Sequence, residues 1–160
     1  MIKLLKDISN IVKELRKENK KIVFTNGCFD ILHSGHCKYL NQAKELGDVL
    51  IVGLNTDASV RRIKAEMNRP INDELNRAIV LDSLRAVDYV VLFDENTPYN
   101  LIAEIIPDIL VKGSDYNIKD IIGGDIVINN GGKVITIDLL AGQSTTNIIE
   151  KIKKIINENK

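Results

Sequence analysis

Apolar and polar positions along the chain follow two alternating rhythms. Ile2, Leu5, Ile8, Val12 and Leu15 recur three to four residues apart, which predicts an amphipathic first helix ending near Asn19. Ile22-Val23-Phe24 is then a short β-rich run cut off by Asn26-Gly27, and a second helix is expected from near Gly35 to about Leu46. Val49 to Leu54 is apolar without alternation, as in a strand covered on both faces. The same succession returns downstream: helix from Asp73 to Ala86, strand from Tyr89 to Phe93, helix from Pro98 to Ile106, strand from Ile109 to Val111. Val134 to Ile137 follows a Gly131-Gly132 turn, and Thr146 to Ile156 closes the chain with Ile148, Ile149, Ile152, Ile155 and Ile156 on one stripe.

Strands separated by helices imply parallel βαβ units with right-handed crossovers. The expected class is therefore α/β, an open doubly wound parallel sheet of Rossmann-like form. No internal repeat, low-complexity tract or linker divides the chain, so residues 1–160 are expected to form one domain. Such sheets bind ligands beyond the carboxyl ends of their strands, where the strand order reverses. The segments placed there are Asn26–His36, Asn55–Lys64, Lys112–Tyr116 and Gly142–Thr146.

Charge narrows the partners. The 22 basic and 22 acidic side chains cancel, which argues against the broad basic footprint of a nucleic-acid binder and leaves room for a local cationic cluster around a small phosphorylated ligand. Two cysteines, Cys28 and Cys37, are too few for a disulfide scaffold. The N-terminal segment spreads its charges without a long apolar core, and no stretch approaches the ~18 apolar residues of a membrane span. A cytoplasmic protein with no nucleic-acid or membrane partner is expected.

The chemistry concentrates in Thr25–His36. A strand ends, a glycine lets the backbone approach a ligand, and both histidines of the chain bracket Ser34-Gly35 at the start of a helix. Free N–H groups at a helix N-terminus favour anions, and two imidazoles there could donate hydrogen bonds to phosphoryl oxygens as charge builds. The blander assignment makes both histidines capping or surface residues. A zinc site from Cys28, His33, His36 and Cys37 lacks the usual ligand spacing, and adjacent His36 and Cys37 would point different ways from a helix, so no metal ligands are assigned. Walker, dinucleotide and nucleophile-elbow glycine motifs are absent from the sequence.

His33-Ser34-Gly35-His36 matches the H-x-G-H signature of the nucleotidyltransferase superfamily, whose fold is shared with class I aminoacyl-tRNA synthetases. Within it, the chain resembles the adenylyltransferase domain of heptose-phosphate enzymes. The resemblance runs through Thr25–Leu40, Gly53–Arg62, Arg69–Asn72, Arg77 with Ala86–Val91, Pro107–Tyr116 and Gly142–Ile149. It implies transfer of AMP from ATP to D-glycero-D-manno-heptose 1-phosphate, with Mg²⁺ accompanying ATP and pyrophosphate released. By the same resemblance, His33 and His36 are catalytic and polarise the triphosphate. Asn26, Gly27, Phe29, Gly35, Lys112, Gly113, Asp115, Tyr116, Ser144, Thr145 and Thr146 hold the nucleotide, while Asp57, Arg62, Lys64 and Arg69 face the sugar phosphate. Arg62 is expected to reach the ligand and Arg61 to be solvated, because neighbours on a helix diverge by about 100°. The plain alternatives are a solvated basic face for that cluster and a simple N-cap for Ser144. Ala65, the Glu66-Met67-Asn68 loop, Ser114, Cys37 and Lys38 depart from the family pattern, which bears on the acceptor sugar. A homodimer is implied, and so is an upstream sugar kinase. Because the chain starts about 20 residues before the run at Ile22, that kinase is expected on a separate protein. Competing readings are a cytidylyltransferase for glycerol or choline phosphate, another adenylyltransferase acting on pantetheine phosphate or a flavin, and a non-catalytic nucleotide-binding regulator.

Overall fold

Six strands pair in parallel in the order β1-β4-β3-β2-β5-β6, in a computed structural model that describes residues 1–3, 5–65 and 68–159. Along the chain these are β1 (Ile2–Lys3), β2 (Ile22–Gly27), β3 (Val49–Asn55), β4 (Tyr89–Phe93), β5 (Ile109–Gly113) and β6 (Lys133–Ile137). The helices are α1 (Leu5–Lys17), α2 (Ser34–Lys44), α3 (Asp57–Ile63), α4 (Glu74–Asp82), α5 (Tyr99–Ile105), α6 (Gly124–Asn129) and α7 (Thr145–Glu158), with a 3₁₀ turn at Ile118–Asp120.

Strand alternation sorts the core into two layers. Val23, Leu50, Val52, Leu54, Val90 and Val111 pack on one side with Tyr39, Leu40 and Ala43 of α2 and Ala78 and Leu81 of α4. Ile22, Phe24, Ile51, Val91 and Leu110 pack on the other with Ile8 and Val12 of α1, Leu101, Ile102 and Ile105 of α5, and Val127 of α6. Every residue of β3 is buried, which is why that run shows no alternation. Gly53 within it is required by close approach: a Cβ would lie 2.9 Å from the Phe24 ring and 3.1 Å from the Asn26 Cβ.

The α/β doubly wound class holds, and several boundaries shift. Ile2 belongs to an edge strand paired with Val90 rather than to the first helix, so the run at Ile22 is the second strand of the sheet. α4 stops at Asp82, four residues early, because Ser83 caps it and donates its hydroxyl to the Ile79 carbonyl. Ala86 and Val87 keep the helical apolar spacing from within the turn that follows. β5 extends two residues beyond Val111, so Lys112 and Gly113 stand at its carboxyl end. Segment 114–132 has a 3₁₀ turn and α6 that its sparse periodicity does not reveal. Glu66 and Met67 lie outside the described residues.

One buried side chain ties the connections at the carboxyl edge together. Arg77 of α4 donates to the Cys28 carbonyl at 2.7 Å, to the Asn72 carbonyl at 3.0 Å and to Asp57 Oδ1 at 2.7 Å. Its side chain is fully buried, and its loss would leave the partly buried Asp57 carboxylate and two carbonyls without their donor. Replacing Arg77 with Met should lower unfolding free energy by about 3–5 kcal/mol, read as a shift of the denaturant midpoint at unchanged slope. A change below about 1 kcal/mol would mean that these loops are held by other contacts.

Candidate active site

The sheet grows in one direction from β2 through β3 and β4, and in the other through β5 and β6, so the carboxyl ends of β2 and β5 form the switch point. A cavity of about 570 Å³ opens there. Lys112 Nζ crosses it to lie 3.4 Å from the Asn26 carbonyl, joining the two strand ends. Burial pulls the Lys112 ammonium down to about 8, against the opposing pull of Asp115 and Cys28, and the same ammonium sits 5.4 Å from the centre of the Tyr116 ring.

His33 occupies the N-cap position of α2 but makes no capping bond with its side chain, so the first N–H groups of the helix remain open and the imidazole is not a cap. It stacks on His36 instead, ring centres 3.8 Å apart at 26°. Gly35 makes this possible: a Cβ would lie 3.0 Å from the His33 ring and 3.2 Å from the Gln143 Cβ. Phe29 meets His36 edge-on at 5.2 Å, and the backbone turns there through φ 43°, a left-handed conformation costly for a bulky residue. The Nδ1 atoms of both histidines and Oδ1 of Asn26 are buried without a hydrogen-bond partner among the described residues. Burial, then the neighbouring His33 and Arg69, holds His36 down at about 4, and burial lowers His33 as well. Both imidazoles are therefore neutral at pH 7, each with one N–H to offer.

Asp30, inside the same loop, organises the wall opposite. Its carboxylate is fully buried and pairs with Arg69 Nε at 2.8 Å. It also accepts the N–H groups of Ile71 at 2.8 Å and Asn72 at 2.9 Å. Burial alone would raise Asp30, but the two backbone donors and the guanidinium outweigh it and hold the carboxyl below its ordinary range. Arg69 engages Asp30 through Nε and also lines the cavity. At the far end Ser144 caps α7 by accepting the Asn147 N–H at 3.0 Å, as the plain N-cap assignment has it, and its residue still lines the cavity with Thr145 and Thr146.

The cavity thus gathers His33, His36, Asn26, Gly27, Phe29, Gly35, Lys112, Gly113, Asp115, Tyr116, Ser144, Thr145, Thr146, Lys64 and Arg69. Two expected residues are not brought to it. Asp57 gives its carboxylate to Arg77 at 2.7 Å and Arg61 at 3.7 Å, because α3 begins beside the buried guanidinium. Arg62 turns to the β4–α5 loop, with Nε 2.8 Å from Asn96 Oδ1 and Nη2 3.4 Å from Asp94 Oδ2. Arg61 is exposed, as expected of the solvated member of the pair. The sequence reading missed Asn96, Thr97 and Pro98, although they follow β4 at the same carboxyl edge and the rule applied to the other strands would have found them. It also gave Asp30 no role, for a lone acid in a loop does not announce a partner some forty residues away.

Fold and site define an α/β domain of the kind that binds nucleotides at the switch point of a parallel sheet. Within that class the chain belongs to the cytidylyltransferase-like family, whose model matches residues 24–151. It is 57% identical over 152 residues to the bifunctional protein HldE of Nitratiruptor sp., covering 95% of this chain and 32% of that protein. The bifunctional protein HldE of Campylobacter concisus is 55% identical over 159 residues, 99% of this chain and 32% of the relative. The chain therefore spans about a third of the length of these curated relatives. The crystal structure of the lipopolysaccharide core biosynthesis protein from Thermoplasma volcanium superposes with a TM-score of 0.65 at 30% identity, covering 76% of this chain and 98% of that one. Pantoate-beta-alanine ligase from Francisella tularensis, 20% identical with a TM-score of 0.64 over 98% of this chain, shares the fold. Among the described residues, no helix is long and apolar enough to cross a membrane.

The depressed His36 gives a pH test. Between its ordinary value of 6.5 and its folded value of about 4, the unfolded chain takes up a proton that the folded chain refuses. Stability of the nucleotide-free protein should be full above pH 6.5 and decline as pH falls towards 4. His36→Gln should flatten that slope. Equal slopes for both proteins, measured by urea unfolding across the window, would remove His36 as its source.

Proposed function

We propose that the chain is an adenylyltransferase domain, residues 1–160, which transfers AMP from ATP to D-glycero-D-manno-heptose 1-phosphate. The observation that carries the reading is the neutral, stacked His33–His36 pair beside the open N-terminus of α2, facing one cavity with Lys112 and Arg69. Identity of more than half to the bifunctional HldE proteins supports the heptose acceptor named by the sequence resemblance, as does the likeness to a lipopolysaccharide core biosynthesis protein.

An oxygen of the sugar phosphate attacks the α-phosphorus in line, a new O–P bond forms, and the bond to the β-phosphate breaks with pyrophosphate as leaving group. The acceptor is already ionised, so the protein needs to align the reactants and offset charge rather than abstract a proton. His33 and His36 donate their N–H groups to phosphoryl oxygens, the first turns of α2 and α7 offer free backbone N–H groups, and Lys112 adds charge from β5. Arg69, braced by Asp30, and Lys64 hold the acceptor phosphate.

Mg²⁺ would accompany the triphosphate. The described residues contain no group of three or more His, Cys, Asp or Glu able to cage it, so phosphate oxygens and water would be its main ligands. The unpartnered Asn26 Oδ1 is suited to accept from a metal-bound water. The ion would supply charge neutralisation on the triphosphate. A sugar kinase would supply the acceptor, and a homodimer in the cytoplasm is the expected setting.

Pyrophosphate release from a panel of triphosphates and phosphorylated acceptors tests the reading. ATP with heptose 1-phosphate should be the best pair, with CTP and glycerol 3-phosphate poor. His33→Ala and His36→Ala should each lower kcat by about 10²–10³-fold while nucleotide binding weakens less. Efficient formation of CDP-glycerol would overturn the assignment of base and acceptor. A histidine variant keeping more than about a third of wild-type kcat would lose its catalytic role.

A further inference from the structure

The β4–α5 loop, Asn96-Thr97-Pro98, lines the cavity on the β3–β4 side of the switch point. The residues assigned to the nucleotide at Lys112–Tyr116 and Ser144–Thr146 come from the opposite side, beyond β5 and β6. Charge separates the two ends. The β5–β6 end carries Lys112 together with Asp115 and Asp120, whereas the β3–β4 connection supplies Lys64 and Arg69 and no carboxylate among the described cavity residues. A cationic end carrying an amide and a hydroxyl fits a phosphate attached to a neutral, hydroxyl-rich body.

The orientation of the Asn96 amide is fixed from outside the cavity. Arg62 Nε can only donate, so the atom facing it at 2.8 Å must be the amide oxygen. Arg62 Nη2 donates in addition to the Asp94 carbonyl, and Asp94 Oδ1 accepts the Thr56 hydroxyl, which anchors the loop to the start of α3. With its oxygen engaged, Asn96 keeps both N–H bonds of its amide. Neither that nitrogen nor the Thr97 hydroxyl has a hydrogen-bond partner among the described residues. Asn96 is exposed at the rim of the cavity, Thr97 is half-buried and Pro98 is buried, so the pair stands on a packed base.

We infer that Asn96 and Thr97 read the hydroxyl groups of the acceptor's sugar body, and that Arg62 is the positioning residue that presents the Asn96 amide. The inference rests on the proposed sugar-phosphate acceptor. It gives Arg62 a task at one remove from the ligand, in place of the direct phosphate contact expected from sequence.

The test is steady-state kinetics of Asn96→Ala, Thr97→Val, Arg62→Ala and the double variant Arg62→Ala/Asn96→Ala, with heptose 1-phosphate and glycerol 3-phosphate as acceptors. Asn96→Ala and Thr97→Val should each raise KM for heptose 1-phosphate about fivefold to tenfold, the effect of one lost hydrogen bond, with KM for ATP within twofold of wild type. Arg62→Ala should reproduce the Asn96→Ala effect, and the double variant should be no worse than either single one. The weak reaction with glycerol 3-phosphate should be unchanged, which a general loss of fold would not spare. If wild type uses heptose 1-phosphate and these KM values stay within twofold, the loop does not read the sugar and this inference alone falls. If wild type uses no sugar phosphate, the functional reading falls with it, and the wild-type measurement already shows that.

Discussion

A single buried guanidinium holds three separate parts of the chain at one point. Arg77 reaches the carbonyl that precedes Phe29, the carboxylate at the start of α3 and the carbonyl of Asn72, segments brought together only by the folded sheet. The left-handed turn at Phe29 is costly for a bulky residue and persists because its neighbours leave no alternative. Arg77 on one side and the Asp30 cluster on the other are those neighbours. Through them the direction of the β2–α2 loop, and with it the place of both histidines, depends on α4 and on residues 69–72.

This arrangement divides labour between sheet and loops. The sheet sets where a ligand can lie, since at the switch point the chain leaving β2 turns to one face and the chain leaving β5 to the other, which opens a crevice between them. The loops set what the ligand meets, and they are stiffened by charges that never touch it. Asp30 commits itself to Arg69 and two backbone amides, and Asp57 to Arg77. Asp30, fully buried, and Asp57, partly so, keep the cationic side chains in fixed positions, so the order is built before a substrate arrives.

Much of this was legible in the sequence because local pattern and tertiary role coincide there. The unbroken apolar run at Val49 predicts a strand covered on both sides, and the histidine pair points to the start of α2, where the two rings stack beside the cavity. Legibility fails where the decisive partner is distant. Ile2 reads as helical on spacing alone, and only its pairing with Val90 makes it a strand. Asp57 and Arg62 look free to bind a ligand until Arg77 and the β4–α5 loop claim them. In segment 114–132 short turns follow one another, so no apolar period lasts long enough to be seen.

The geometry around α2 also explains the form of the H-x-G-H signature as a record of contacts. Ser34, the variable letter, is the exposed first residue of the helix, and its side chain meets no constraint from the site. Gly35 is favoured because a methyl group there would press on the His33 ring and the Gln143 Cβ, each of which would have to give by a few tenths of an ångström. A chain could therefore drift freely at the second letter. At the third, any side chain would press on the ring of the first letter and on residue 143 together, so the packing of one position is felt at all three.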